Sequence, residues 1–184
     1  MDASMPESAR RRARSPHELS MINLLMINLL LLIAVLAGSF LPQGSALLEY
    51  RWWLVAGPLS LSLAVILFTH WKANQLQRET GSQQAFIAAH WRLAVARNRI
   101  LLLAYLVGAS LIGVGWLLSM SQADPRMEAL MFVALQRVAV APVLLTLMVL
   151  IMLEAGALYQ AGRGELPAAK APSSEPQGPE LQRS

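Results

Sequence analysis

The residues of this chain that could carry out chemistry are few, and their spacing matches no catalytic motif. His17-Glu18 begins a zinc-protease pattern, but Met21 stands where the second histidine would be required. The sequence has no nucleotide-binding glycine loop, no serine-hydrolase elbow and no cysteine, which excludes thiol chemistry and thiolate-bound clusters. We therefore expect a protein that is not an enzyme.

Three histidines are the candidates for holding a haem or a metal ion, because imidazole is a common ligand of both. His70 lies at the end of an apolar run, His90 lies in a polar stretch between two such runs, and His17 lies in the N-terminal segment. Ligands of a haem must project from packed helices at matched depth, and these positions do not predict that. The sequence thus predicts no cofactor, with a haem bound through His70 and His90 as an open alternative.

Polar residues inside apolar runs are the other candidates. Arg137 lies about 12 Å by helical rise from Ala129, where its run begins. Its guanidinium can therefore reach the membrane surface by snorkelling, or it can bind an anionic ligand or a partner's carboxylate. Asn23 and Asn28 are five residues apart, so on an α-helix they lie on different faces. We expect each to donate a hydrogen bond to a neighbouring helix, with an intramembrane polar site as the alternative.

The composition indicates the elements that position these residues. The chain has 184 residues, of which 55% are hydrophobic and 14% are charged, against about a quarter charged in an ordinary soluble domain. Four uncharged or nearly uncharged runs, at 19–41, 52–71, 100–121 and 129–153, are long enough to cross a bilayer as helices. Barrel strands are excluded because the runs do not alternate. The predicted fold is an all-α membrane protein with a bundle of four transmembrane helices.

Basic residues outside the runs predict the orientation. They are concentrated before the first run, between the second and third, and after the fourth: Arg10, Arg11, Arg12, Arg14, Lys72, Arg78, Arg92, Arg97, Arg99, Arg163, Lys170 and Arg183. Positively charged short loops stay in the cytoplasm, so we expect both termini there. The preference for arginine over lysine is typical of GC-rich bacteria and favours the bacterial inner membrane.

A signal peptide cleaved near Ala37 is the alternative for the first run.

The polar parts of the chain are predicted to differ in structure. Residues 1–18 and 154–184, on either side of a 19–153 membrane domain, contain prolines and lack apolar periodicity, which predicts disorder. Residues 83–99 have apolar residues at helical spacing and predict an amphipathic helix on the cytoplasmic surface. Its lipid-headgroup contacts are expected from the following residues: Trp91, Arg92, Arg97 and Arg99.

Small residues four apart let helices approach closely in lipid. The second run contains Ala56, Ser60 and Ala64, and the third contains Ala104 with Gly108 and Ala109 with Gly113. We expect these two helices to be tightly packed. A five-residue repeat, Met21-Ile22-Asn23-Leu24-Leu25 followed by Met26-Ile27-Asn28-Leu29-Leu30, lies in the first run.

Three functions remain open at this stage. The preferred one is an accessory or scaffold subunit that contacts the bilayer and a partner membrane protein or a second copy of itself, without nucleic acid. The alternative is a small homo-oligomeric permease or channel, in which Asn28 and Arg137 line a path between protomers. The spans contain no Asp or Glu, which argues against a proton-coupled carrier. The third is a haem- or metal-binding redox subunit.

The charge distribution predicts that a reporter fused to either terminus stays in the cytoplasm. An alkaline phosphatase fusion, which is active only outside the cytoplasm, should be inactive at both ends, and a fluorescent protein should fluoresce. An active phosphatase fused to the C-terminus would contradict the orientation.

Overall fold

A computed structural model describes residues 5–37, 50–79 and 81–167 of the chain, and the secondary structure of these ranges is helical. The helices are α1 (Glu7–Ile22), a π-helical segment (Asn23–Asn28), α2 (Leu29–Ala37), α3 (Arg51–Leu76), α4 (Ser82–Ser119) and α5 (Pro125–Arg163). The first three form one continuous helical run, so four helices are long and apolar enough to cross a membrane. The prediction of an all-helical chain with four such helices is confirmed.

The helices are longer than the apolar runs from which they were predicted. The expected surface helix at 83–99 and the third run are one helix, α4, because the sequence from 82 to 107 contains no proline or glycine that would end it. Helix α5 likewise continues past residue 153 to Arg163 and ends at Gly164, whose left-handed φ of 78° suits glycine. Helices α3 and α5 also continue through Pro58 and Pro142.

Residues 7–18, which the sequence predicts to be disordered, form most of α1. Ala9 and Ala13, four residues apart, are buried, and their small side chains let α1 lie close to α4 and α5. Pro16 and His17 on the same helix are also buried. Packing of this face outweighs the polar composition on which the expectation of disorder rested. Residues 154–163, also expected to be disordered, form the last part of α5. Residues 1–4 and 168–184, which were included in the same expectation, lie outside the described residues.

The bundle has two hydrophobic cores along its length. We call the end at which α1 begins and α5 finishes the basic end. The core there includes Ala9, Ala13, Phe86, Trp91 and Ala161. A second core lies deeper in the bundle and consists of Leu24, Leu32, Ile66, Leu101, Val140, Val143, Leu147 and Leu150. Both cores are formed between helices that start or finish at the basic end.

The closest approach between helices involves glycines of α4. A Cβ atom on Gly108 would lie 2.7 Å from Val143 Cγ2, and one on Gly115 would lie 2.9 Å from Leu135 Cβ, so both positions need glycine for α4 and α5 to pack as they do. Ala104 is buried beside Gly108. The other predicted packing residues lie on the outside of the bundle: Ala56, Ser60, Ala64 and Ala109 are exposed, and Gly113 is half-buried.

Gly108→Ala should destabilise the bundle, whereas Gly113→Ala should not. Alanine improves helix propensity by about 1 kcal/mol at either position. At Gly108 the new methyl group must displace Val143, and overpacking of this kind costs about 1–3 kcal/mol, whereas nothing lies within 4 Å of the corresponding atom at Gly113. Thermal unfolding in mild detergent, followed by tryptophan fluorescence, measures the difference. A Gly108→Ala protein as stable as Gly113→Ala would disprove the close approach.

Candidate functional site: a buried ionic network and a polar core

Three helices bring ionisable side chains together near the basic end. His17 comes from α1, His90 and Arg97 from α4, and Glu154 from α5. The two histidines are completely buried, Glu154 is 1% exposed and the side chain of Arg97 is 13% exposed. We call these four residues the ionic network. Ionisable groups this deeply buried are rare unless they are paired, so their mutual geometry is informative.

Glu154 is the centre of the ionic network. Its Oε2 atom lies 2.6 Å from His17 Nδ1 and 3.2 Å from Arg97 Nη1. The first contact is a hydrogen bond. The second lacks hydrogen-bond geometry, so Arg97 acts on this oxygen through its charge. One carboxylate oxygen therefore joins α1, α4 and α5.

The network continues through a second histidine to the backbone. His17 Nε2 lies 3.0 Å from His90 Nδ1, and the two rings meet edge to face at 84°. His90 Nε2 lies 3.1 Å from the carbonyl oxygen of Glu165, just beyond the end of α5. A carbonyl only accepts hydrogen bonds, so His90 carries a proton on Nε2 and donates it to Glu165.

The hydrogen bonds fix the tautomers of both histidines. His90 lies ten residues before the apolar part of α4, and burial lowers its pKa from 6.5 to about 4, so it is neutral at physiological pH. With its proton on Nε2, neutral His90 accepts at Nδ1, and His17 must donate from Nε2. One further proton then lies between His17 Nδ1 and Glu154 Oε2. The Arg97 guanidinium lies beside the same Glu154 oxygen, where its positive charge attracts the carboxylate.

A second polar cluster lies deeper in the bundle. Asn28 donates to Ser62 Oγ at 3.1 Å, Ser62 lies 2.7 Å from the Tyr105 hydroxyl, and Tyr105 donates to Asn28 Oδ1. Since Ser62 and Tyr105 each have one hydroxyl proton, Ser62 must donate to Tyr105, which closes a ring. We call these three residues the core triad. Each member comes from a different helix and both donates and accepts.

The π-helical segment places Asn23 beside the core triad. Asn28 Nδ2 lies 2.8 Å from the backbone oxygen of Asn23 and 3.2 Å from its Oδ1. In a π-helix residues five apart are hydrogen-bonding neighbours, whereas in an α-helix they are not. The expectation that the two asparagines lie on different faces is therefore wrong, because it assumed α-helical geometry. Both are 1% exposed.

Several buried polar atoms without a hydrogen-bond partner belong to residues that lie, in sequence, between the ionic network and the core triad. Helices α1 and α4 both start at the basic end, and they are joined at His17 and His90 and again, through the π-helical segment, at Asn28 and Tyr105. Besides Arg97 Nη1, which lies against Glu154, the sequence between those contacts contributes three buried polar atoms without a hydrogen-bond partner in the described part of the chain, namely Ser20 Oγ, Asn23 Nδ2 and Asn98 Nδ2. Buried polar atoms of this kind commonly bind internal water.

No protein-family model matches this sequence, and no curated protein or solved structure is significantly similar to it. The chemistry of the two clusters is therefore the guide to what the protein does.

The other residues singled out in the sequence lie elsewhere. Trp91 and Arg97, expected at the lipid surface, face the interior, where Trp91 is 5% exposed, because this part of α4 packs against α1. Arg92 and Arg99 are exposed, as is Arg137 on α5. His70 bonds through Nδ1 to the Ile66 carbonyl of its own helix at 2.9 Å. The structure thus pairs His90 with His17, not with His70.

His17 and His90 do not form a metal centre with their neighbours. The ring nitrogens that face each other are joined by a hydrogen bond. Within residues 5–37, 50–79 and 81–167, no group of three His, Cys, Asp or Glu side chains is arranged to hold a metal ion.

Three site residues, Glu154, Ser62 and Tyr105, were not predicted from the sequence. Glu154 lies one residue beyond the predicted fourth span, so it was counted with the polar tail. An apolar helix that ends in a lone carboxylate is a usable signal, since that carboxylate requires a buried cation or must reach water. Its partners are His17, just before the first span, and Arg97, just before the third.

Glu154→Gln should destabilise the protein strongly. The substitution keeps the shape of the side chain but leaves Arg97 and His17 without a counter-charge, and removal of one member of a buried ion pair costs about 3–5 kcal/mol. Glu18→Gln is the matched control, because it removes an exposed ion pair with Arg14, which is worth at most about 1 kcal/mol. Thermal unfolding in detergent measures both. Equal stability of the two variants would show that the ionic network does not hold the helices together.

Proposed function

We propose that this protein is a small multi-pass permease of the bacterial inner membrane, with both termini in the cytoplasm, and that the ion it passes is the proton. The observation that carries the proposal is the buried chain of hydrogen bonds from the Glu165 carbonyl through His90 and His17 to Glu154. Buried Glu and His residues in membrane bundles commonly form proton relays.

Glu154, one residue beyond the fourth predicted span, weakens the main argument against this function. The sequence disfavoured a proton-coupled protein because the predicted spans contain no carboxylate. Helix α5 includes Glu154, and its side chain faces the interior of the bundle. A proton shared between His17 and Glu154 can move from one to the other without movement of the helices, because their atoms are 2.6 Å apart.

The unpartnered polar atoms support a continuation of this relay into the bundle. Ser20, Asn23 and Asn98 lie between the ionic network and the core triad along α1 and α4. Water molecules bound to these groups would connect the two clusters by hydrogen bonds, which is the arrangement that proton transfer needs. The relay would then cover the half of the bundle next to the basic end.

A cavity supports a path through the remaining half. It has a volume of about 220 Å³ and begins at Asn28 and Tyr105 of the core triad. Its other lining residues are apolar and reach Ile112 on α4 and Val55, four residues from the start of α3 at the opposite end. Apolar constrictions in channels admit water transiently and act as gates. Exposed Ala109 also lines this space, so it is open on one side, and a second protomer there would complete the path, as in the homo-oligomeric alternative raised by the sequence.

Proton flux into proteoliposomes tests the proposal. Vesicles with an internal pH dye and a potassium diffusion potential should acidify faster with the protein than without it. Glu154→Gln and His90→Gln should each lower the flux about tenfold or more. The glutamine amide cannot take up and release a proton as the carboxylate of Glu154 or the imidazole of His90 can. His90→Gln still offers one donor and one acceptor, so it keeps the fold if Glu154→Gln does not.

Glu18→Gln is again the control, and it should leave the flux unchanged because its exposed pair with Arg14 is outside the path. Folding of each variant is checked by thermal unfolding. Flux no greater than that of protein-free vesicles, or flux unaffected in a folded His90→Gln protein, would rule out the proton permease.

An accessory subunit of a membrane complex is the second candidate. Ala56, Ser60 and Ala64 lie at four-residue spacing on α3 and are exposed, so the small-residue face predicted to pack within the chain is open to another helix. Native mass measurement after mild detergent extraction separates the candidates. A stoichiometric foreign membrane protein would favour the accessory subunit, and a monomer or homo-oligomer would favour the permease.

A further inference from the structure

A charged pocket lies on the outside of the basic end, between the start of α1 and the end of α5. It has a volume of about 510 Å³. The lining residues are Glu7, Arg10, Arg11, Arg14, Glu18 and Gly162. The α1 residues recur every three or four positions, so they form one face of the helix. We call this the arginine pocket, and it is separate from the ionic network.

The three arginines of the pocket are held differently. Arg10 Nη1 donates to the Gly162 carbonyl at 3.3 Å, which fixes Arg10 against α5. Arg14 lies 3.6 Å from Glu18 on its own helix. Arg11 is exposed and forms no ion pair with any residue in the described part of the chain. Two anchored guanidinium groups and one uncommitted group thus face a single pocket.

The charge of the pocket suits a single phosphodiester. Three arginines and two glutamates give the lining a net positive charge of one. Guanidinium groups bind phosphate oxygens through paired hydrogen bonds. The flanking carboxylates of Glu7 and Glu18 would repel a polyanion such as nucleic acid, whereas a lipid phosphodiester carries one negative charge and can approach between them.

The depth of the pocket favours a lipid headgroup. Arg14 lies five residues and Arg11 eight residues before Leu19, where the apolar run of the first helix begins, which places them about 7.5 Å and about 12 Å from it along the helix. The headgroup layer of each leaflet is about 5–8 Å thick, so Arg14 lies at its outer edge, and the long flexible side chain of Arg11 can reach it. Tyr159, one turn before Gly162 on α5, is exposed, and tyrosine is typical of the membrane surface. Basic pockets between helices at this level bind anionic headgroups.

We infer that the arginine pocket binds the phosphodiester headgroup of an anionic phospholipid. Arg10 and Arg14 orient the phosphate against the end of α5, and Arg11 contributes the charge that has no partner within the chain. A lipid held there contacts α1 and α5 at once and strengthens their association next to the ionic network.

Lipid retention by the full-length protein tests this site. The protein is equilibrated in phosphatidylcholine nanodiscs with and without phosphatidylglycerol, released into mild detergent, and weighed with its bound lipid by native mass spectrometry. Arg11→Gln should lower phosphatidylglycerol retention about fivefold, the usual contribution of one basic residue at a membrane surface. Arg12→Gln is the matched control, because Arg12 is also exposed but lines a different pocket with Lys72 and Trp91. It should retain lipid as the unmodified protein does.

Two results would overturn the inference. Equal losses in Arg11→Gln and Arg12→Gln would show that the surface charge of α1 attracts lipid without a specific site. Complete displacement of phosphatidylglycerol by inorganic phosphate would show that the pocket serves a soluble phosphate compound and not a lipid. Both arginines are exposed, so both variants should fold, and thermal unfolding verifies this.

Discussion

Three helices of this protein meet at one oxygen atom of Glu154. A buried carboxylate costs several kcal/mol unless it is paired, so α1 and α4 must each supply a positively charged or hydrogen-bonding group at the level of Glu154. His17 and Arg97 do so at 2.6 Å and 3.2 Å. This requirement holds α1, α4 and α5 together just beyond their apolar runs, at the level of the ionic network. It also fixes the side of α1 that faces inward, and with it the positions of Ser20 and Asn23.

The sequence predicted the number and type of the long helices well, because uninterrupted apolar runs of about 20 residues have few other structures. It did not predict where the helices begin and end. Residues 7–18 and 154–163 are polar enough to suggest disorder, and their order comes from contacts between residues far apart in sequence, such as His17 with Glu154. Local spacing carries no information about a pair separated by 137 residues. The only signal of this contact in the sequence was that a buried Glu154 would require a positively charged or hydrogen-bonding partner.

The core triad was missed for a different reason. Asn23 and Asn28 were both recognised as polar residues in an apolar run, but an α-helix would turn them to different faces. The five-residue repeat that contains them has the same period as the hydrogen bonds of the π-helical segment, which spans residues 23–28. The repeat was therefore the available signal for this local structure. Its significance depended on Ser62 and Tyr105, whose positions opposite Asn28 follow from the packing of α3 and α4.

The length of α4 has a consequence for the forces that stabilise its two parts. A bilayer that begins at Ile100 leaves residues 82–99 outside, about 27 Å of helix. The core around Phe86 and Trp91 is then surrounded by water, where the hydrophobic effect drives packing, whereas the core around Leu101 and Val143 is surrounded by hydrocarbon, where close contacts and hydrogen bonds must suffice. In such a bilayer, one helix would be folded in two solvents. Denaturants that act through water would loosen residues 82–99 before the apolar part of α4. A change of lipid composition would instead affect the apolar part first.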